Sequence, residues 1–191
     1  SPPSAPATLR LVCAALSRRE PRVSPIPPSM STDIVIRRER ADHPQAVAAL
    51  ERLDAYLASL YEPEANHILS VQELLAPEVS FFAAWQGVRL VGTAAARRMA
   101  GEAGTEGETY GELKRMYVEP ELRGQRLGRR LVEAVEASLR EAGIVLAMLE
   151  TGAEQREAVR LYERCGYARR GPFGGYPDNG LSLFLCKRLA P

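Results

Sequence analysis

Residues 110–130, YGELKRMYVEPELRGQRLGRR, read as a strand, a tight basic loop and the first turn of a helix. The first N–H groups of a helix have no intrahelical partner and point outward. A strand feeding a glycine-containing loop into a helix start is therefore a unit that holds phosphate. Arg123, Arg126, Arg129 and Arg130 crowd this helix start. Cations there oppose the macrodipole by ~0.3–1 kcal/mol each, a placement that makes sense where an anion sits among them. A solvated helix end with incidental arginines is the plainer alternative. The loop lacks the Lys-Ser/Thr of a P-loop and the third glycine of a dinucleotide fold.

Working outward, VSFFAAWQ (79–86) and VRLVGTAAARR (88–98) flank a Gln86-Gly87 turn signal and read as a hairpin leading into this strand. On the far side, Leu127, Leu131, Val135 and Leu139 form a helical stripe, and Gly143 stands where a C-terminal cap belongs. The run IVLAMLE (144–150) has strand character, so strand, helix and strand make a βαβ unit with parallel strands and a right-handed crossover. Ala158, Leu161, Tyr162 and Cys165 mark another amphipathic helix, ended by Gly166. A short strand (167–170), the Gly/Pro-dense loop GPFGGYPDNG (171–180) and a last strand (181–186) follow. Towards the N-terminus, DIVIRR (33–38) is a β-branched first strand. Asp42 offers an N-cap with Gln45 as reciprocal partner, and Val47, Leu50, Leu53, Leu57 and Leu60 give a helix that Pro63 ends. Ser70 and Glu73 form a second capping box, opening a short helix that stops before Pro77. The order β, α, α, β, β, β, α, β, α, β, β is that of a mixed α/β sheet with helices on both faces.

A chain of 191 residues, 46% hydrophobic, argues for one domain with a sizeable core. Net charge of +1 gives no electrostatic footprint for nucleic acid. Cys13, Cys165 and Cys186 are far apart and share no metal-ligand spacing with His43 or His67, so free thiols in a reducing, cytoplasmic setting are expected and no metal is. No apolar run reaches the roughly 18 residues of a membrane span. Residues 1–29 differ from the rest. They hold seven of the 14 prolines, and four arginines against one glutamate give them +3, leaving −2 for the remainder. They read as a Pro/Arg-rich extension outside the core, with 30–191 as the single domain and Met30 as a natural start. A functionless upstream segment, a transit-like peptide and an ordered arm on a neighbouring subunit stay open for it, and a homodimer stays open with the last.

Two blocks carry a family resemblance. RGQRLG (123–128) after a strand resembles the pyrophosphate loop of the GNAT superfamily of N-acetyltransferases, Gln/Arg-x-x-Gly-x-Gly/Ala, with Arg126 where the first glycine usually is. Gln155-x-x-Ala158-x-x-Leu161-Tyr162-x-x-x-Gly166-Tyr167 resembles its C-terminal motif, with Gln155 in place of asparagine. The element order matches that fold as well. The resemblance spans about Asp33 to Arg188. It implies a twisted, mostly antiparallel mixed sheet with a parallel βαβ core, and transfer of an acetyl group from acetyl-CoA to an amine in a ternary complex.

Such a transfer makes three demands. An alkyl ammonium with a pKa near ~10.4 must lose a proton before it attacks. The carbonyl oxygen needs donors as it becomes an oxyanion. The leaving thiolate benefits from an acid. The resemblance implies Glu112 as base, against an ion pair with Lys114 or Arg115 as the plain reading, and Tyr162 as acid, against a core aromatic. It implies the backbone of Met116, Tyr117 and Val118 against the pantetheine. Arg123, Gly124, Gln125, Arg126, Leu127, Gly128 and Arg129, with Gln155, would hold the rest of the cofactor. Its acceptor pocket would draw on Tyr56, Tyr61, Asn66, His67, Phe173 and Tyr176, with Arg115 available to a carboxylate. The loop GPFGGYPDNG resembles that of a bacterial subgroup, with Gly175 where an acidic residue precedes the tyrosine. A small-molecule amine is the expected acceptor. A non-catalytic acyl-CoA sensor and a protein N-acetyltransferase are the rivals. The cysteines have no evident activating partner, which speaks against a covalent acetyl-cysteine.

Overall fold

The structure, a computed structural model, describes residues 33–62 and 68–190. The extension over 1–29, Pro63 as a helix end, and Asn66 and His67 in the acceptor pocket lie outside them. The elements run β1 (Ile34–Arg38), α1 (Pro44–Ala58), α2 (Val71–Leu74), β2 (Val79–Gln86), β3 (Arg89–Met99), β4 (Tyr110–Val118), a 3-10 turn (Pro120–Leu122), α3 (Leu127–Glu141), β5 (Leu146–Gly152), α4 (Arg156–Arg164), β6 (Ala168–Arg170) and β7 (Ser182–Arg188). This is the order the sequence predicts. The strands form one open sheet, β1-β2-β3-β4-β5-β7-β6. All neighbours are antiparallel except β4 and β5, which are parallel as the βαβ reading requires.

Each face of the sheet is covered by helices. Leu127, Leu131, Val135 and Leu139 of α3 and Tyr162 of α4 pack on one side against Ala94, Leu113, Ala147 and Leu185. Ala46, Ala49, Leu50 and Leu53 of α1 and Leu74 of α2 pack on the other against Phe81, Ala83, Trp85 and Ala95. Gly111 lies under α3, where an added Cβ would sit 2.2 Å from Leu139 Cδ2, so its missing side chain sets how closely α3 approaches β4.

The N-cap of α1 is His43, not Asp42. Pro44 occupies N1, where its fixed φ suits the helix and its missing N–H costs nothing. The His43 Nδ1 accepts from the Gln45 N–H at 3.2 Å, while Asp42 pairs with Arg40. The Ser70–Glu73 capping box forms as predicted. Helices α3 and α4 end alike. The Gly143 N–H reaches Arg140 O and the Ile144 N–H reaches Leu139 O, both at 2.9 Å; Gly166 and Tyr167 repeat the pattern on Glu163 and Tyr162 at 3.0 Å. In each the glycine takes the positive φ of a Schellman motif. Its hydrophobic contact in the second helix is the edge-on packing of Tyr167 on Tyr162, 5.9 Å between ring centroids. The Gly-Tyr pair of the sequence motif thus fixes the Tyr162 ring. Among the described residues no helix is long and apolar enough to cross a membrane.

Candidate active site

Two backbone events open the sheet. β4 and β5 pair only at Gly111–Ala147 and Glu112–Met148, and beyond those positions the strands part. Opposite β3, the register slips between Thr93 and Ala95, with Arg115 at φ +56, a conformation a non-glycine residue rarely takes. The Thr93 hydroxyl holds this bulge by donating to Arg115 O at 2.9 Å. The result is a cleft of about 950 Å³ between Leu113–Val118 of β4 and Glu150–Gly152 of β5. Its remaining walls are the start of α3, one side of α4 and the end of α1.

At the α3 end of the cleft, Arg126 is the N-cap residue and sits at φ +64, ψ +6. This backbone is left-handed, taken by an arginine at a cost of about 1–2 kcal/mol. No side chain caps this helix. Arg123 donates to Val118 O at 3.3 Å, Arg129 pairs with Glu133 at 2.8 Å, and Arg130 donates to Ile34 O at 2.6 Å. Among the described residues the Arg126 guanidinium has no hydrogen bond or ion pair, and only the Arg126 carbonyl is engaged, accepting from the Arg130 N–H at 3.1 Å. Uncapped first-turn amides beside an unpaired guanidinium are groups chemically suited to an anion. Gly128 keeps α4 close, since a Cβ there would lie 2.9 Å from Leu161 Cδ2. Arg123, Gly124, Leu127 and Arg129 line the cleft with Arg126 and Gly128, whereas the Gln125 side chain turns away to donate to Glu121 O at 3.0 Å.

Met116, Tyr117 and Val118 form the β4 wall. A network fastens that wall to α1: Arg52 donates to the Tyr117 hydroxyl at 3.1 Å and to Glu119 at 2.7 Å, and Tyr117 donates to Glu119 at 3.0 Å. Tyr162 faces the cleft from α4, 5% exposed. Burial, with lesser contributions from Cys165 and Glu150, holds its phenol well above the usual tyrosine range. It is therefore a protonated donor at neutral pH, and among the described residues nothing hydrogen-bonds its hydroxyl. Cys165 also lines the cleft, its thiol pushed up chiefly by burial, which is unlike an activated nucleophile.

Glu112 is 4% exposed and off the cleft wall. It accepts from the Tyr176 hydroxyl at 2.5 Å and pairs with Lys114 at 3.1 Å. Lys114 itself lines the cleft. Phe173 is buried among Tyr110, Met148 and Phe184 instead of facing the cleft, and it anchors the loop that brings Tyr176 to Glu112. Arg115 reaches α1, where it pairs with Asp54, while its buried Nε has no partner. Tyr56 and Tyr61 line the far end with Leu53, Leu57 and Ile68. Tyr61 folds across the cleft mouth, accepting from the Glu154 N–H at 3.1 Å beside Gln155, and lies over Gly152. A Cβ at Gly152 would fall 2.0 Å from the Tyr61 hydroxyl oxygen. Gly152→Val should therefore expel Tyr61 and break its contact with the Glu154 N–H, costing ~1 kcal/mol and read as a lower urea midpoint.

The sequence reading missed Lys114, Glu150 and Ser182 on the cleft wall. For Glu150 a signal existed: it ends an apolar strand predicted to lie parallel to β4, and the carboxyl ends of parallel strands are where crevices form.

Residues 45–167 match the acetyltransferase (GNAT) family. The chain belongs to that family. It is an acyltransferase by membership. An IAA acetyltransferase from Azospirillum brasilense is 42% identical over 157 residues, covering 82% of this chain and 99% of its own length. A Klebsiella pneumoniae protein assigned to the acyl-CoA N-acyltransferases has a crystal structure with 32% identity and a TM-score of 0.65, covering 84% of this chain and 100% of that one. The PaiA N-acetyltransferase of Thermoplasma acidophilum, solved with coenzyme A, matches at a TM-score of 0.63 and 19% identity, with 82% and 99% covered, a likeness of fold alone.

Proposed function

We propose that this GNAT protein moves the acetyl group of acetyl-CoA to the amine of a small molecule by direct attack in a ternary complex. The carrying observation is the cleft where β4 and β5 part, which runs from the Arg126 loop past Tyr162 to an apolar and aromatic end. Its residues fit coenzyme A. The uncapped α3 amides and the Arg126 guanidinium suit a pyrophosphate, with Arg123 and Arg129 at its rim. β4 from Met116 to Val118, laddered with β3 but past its last pairing with β5, suits the amides of a pantetheine arm, as a strand edge suits a peptide. Acetyl-CoA supplies an activated acetyl thioester. The chain supplies position, donors and proton transfer. Backbone N–H groups of the β4 wall face the developing oxyanion, and the Tyr162 phenol gives its proton to the departing sulfur. Glu112, the base nominated by the sequence, meets the cleft wall through Lys114, with which it pairs at 3.1 Å, while the Tyr176 hydroxyl covers it from the other loop. The raised Cys165 thiol leaves a covalent acetyl-cysteine without support. The apolar wall of Leu53, Tyr56, Leu57, Tyr61 and Ile68 favours a small amine with an apolar portion.

An acetyl-CoA thiol-release screen over amino acids, polyamines, aminoglycosides and short peptides tests this reading. Turnover with a small amine supports it. Tight acetyl-CoA binding with no thiol release for any amine would instead make the protein a sensor. Tyr162→Phe should lower kcat about tenfold, ~1.4 kcal/mol of barrier, with an unchanged thermal midpoint because the hydroxyl has no partner to lose. Wild-type turnover in that variant removes Tyr162 from the chemistry.

A further inference from the structure

Two glutamates flank the point where β4 and β5 part, and their surroundings differ. Glu112 is neutralised by Lys114, covered by Tyr176 and off the cleft wall. Glu150, near the end of β5, is on that wall. Its carboxylate accepts from the Ser182 hydroxyl at 2.5 Å, a contact across the β5–β7 ladder, in which Ser182 pairs with Gly152. Among the described residues no lysine, arginine or histidine pairs with it. An ionised carboxylate has about four acceptor positions, so a single hydroxyl leaves most of them directed at whatever enters the cleft. Tyr162 lines the same cleft, so carboxylate and phenol share one space.

We propose that Glu150, positioned by Ser182, receives the acceptor's ammonium group and takes its proton, making it the base that faces the substrate. This rests on the amine-acetylating reading above. The ammonium gives one proton to the Glu150 carboxylate, and the freed lone pair forms the C–N bond to the acetyl carbon as the C–S bond breaks. Sulfur leaves with the bonding pair and takes the Tyr162 proton. The surplus proton on the amide nitrogen restores Tyr162, and Glu150 returns its own to solvent, so one proton is released per turnover. The acceptor class that follows is a primary amine that is cationic at neutral pH.

The test uses the full chain, acetyl-CoA and whichever amine of the panel the wild type turns over fastest. Glu150→Gln should lower kcat about 100-fold, the lower end of what a positioned base contributes, while acetyl-CoA affinity and the thermal midpoint match wild type. Glu150→Ala should regain activity with added formate, which a merely structural carboxylate would not show. Ser182→Ala, which keeps the carboxylate and loosens it, should lose only a few-fold and gain nothing from formate. The proposal is overturned if Glu150→Gln keeps kcat within a few-fold of wild type, or if Glu112→Gln abolishes turnover that Glu150→Gln retains. Wild-type protein that binds acetyl-CoA yet acetylates no amine of the panel overturns the amine-acetylating reading itself, and the role of Glu150 with it.

Discussion

Lys187→Met is expected to destabilise the fold by about 3–5 kcal/mol, the usual cost of stripping a buried ion pair of one partner. The Glu136 side chain is 3% exposed on the inner side of α3, and Lys187 of β7 reaches both of its oxygens at 2.8 Å. Arg140, one turn along α3, touches a single oxygen at 3.3 Å and is itself partly solvated, so it compensates only in part. Removing Lys187 leaves a carboxylate with little water and half its donors. The effect should appear as a drop in the urea midpoint with the slope preserved. Glu136→Leu combined with Lys187→Met should recover most of the loss, because an apolar pair of similar volume carries no desolvation penalty. A double variant no better than Lys187→Met alone would place the cost in lost Lys187 packing instead.

This pair also shows where sequence reading stops. Glu136 lies beside Val135 on a helix whose stripe was legible from Leu127, Leu131, Val135 and Leu139, yet nothing local says that a glutamate is buried. Its partner is 51 residues away on the last strand. What was legible was periodic or punctuated. β2 and β4 were bounded to the residue by turn and loop composition, and the Ser70–Glu73 box and the glycines after α3 and α4 carry their meaning in their spacing. The parallel β4–β5 pair followed from the crossover rule. The N-cap of α1 was misread because Asp42 is the better capping residue in isolation. Pro44 then fixes the helix start one residue later and hands the cap to His43.

That Arg126, Gly128 and Tyr162 lie on one cleft was legible, because their positions are set by short-range motif geometry. That Glu112 and Phe173 lie off its wall was not. Strand alternation fixes which face Glu112 points to, but the loop that closes over it docks through Phe173 into a third cluster with Tyr110 and Phe184. That docking is a long-range event. The bulge at Arg115 was invisible for a related reason, since its left-handed backbone is imposed by β3 and by Thr93 with no glycine to announce it. A strand read as uniform is in fact redirected there, which sends the Arg115 guanidinium to Asp54 on α1.

Arg126 is the second position where a large effect is expected, and its backbone and side chain make separable predictions. Arg126→Gly keeps the left-handed turn at no steric cost, so it should stabilise the fold by about 1 kcal/mol. It also deletes a guanidinium that the protein itself leaves unpaired. If that group faces pyrophosphate, acetyl-CoA affinity should fall about tenfold, the scale of one hydrogen bond to a charged group. Arg126→Glu puts a carboxylate in the same place, and the loss should reach about 100-fold, partly relieved by added salt as repulsion is screened. Arg126→Val should be worst for folding, because a β-branched residue resists positive φ. Isothermal titration with acetyl-CoA at low and high salt, beside thermal melts, separates these outcomes. Wild-type affinity in Arg126→Glu would leave the α3 amides as the whole anion site. The arginine would then be a strained bystander, and its unpaired state in the cleft would need another ligand to explain it.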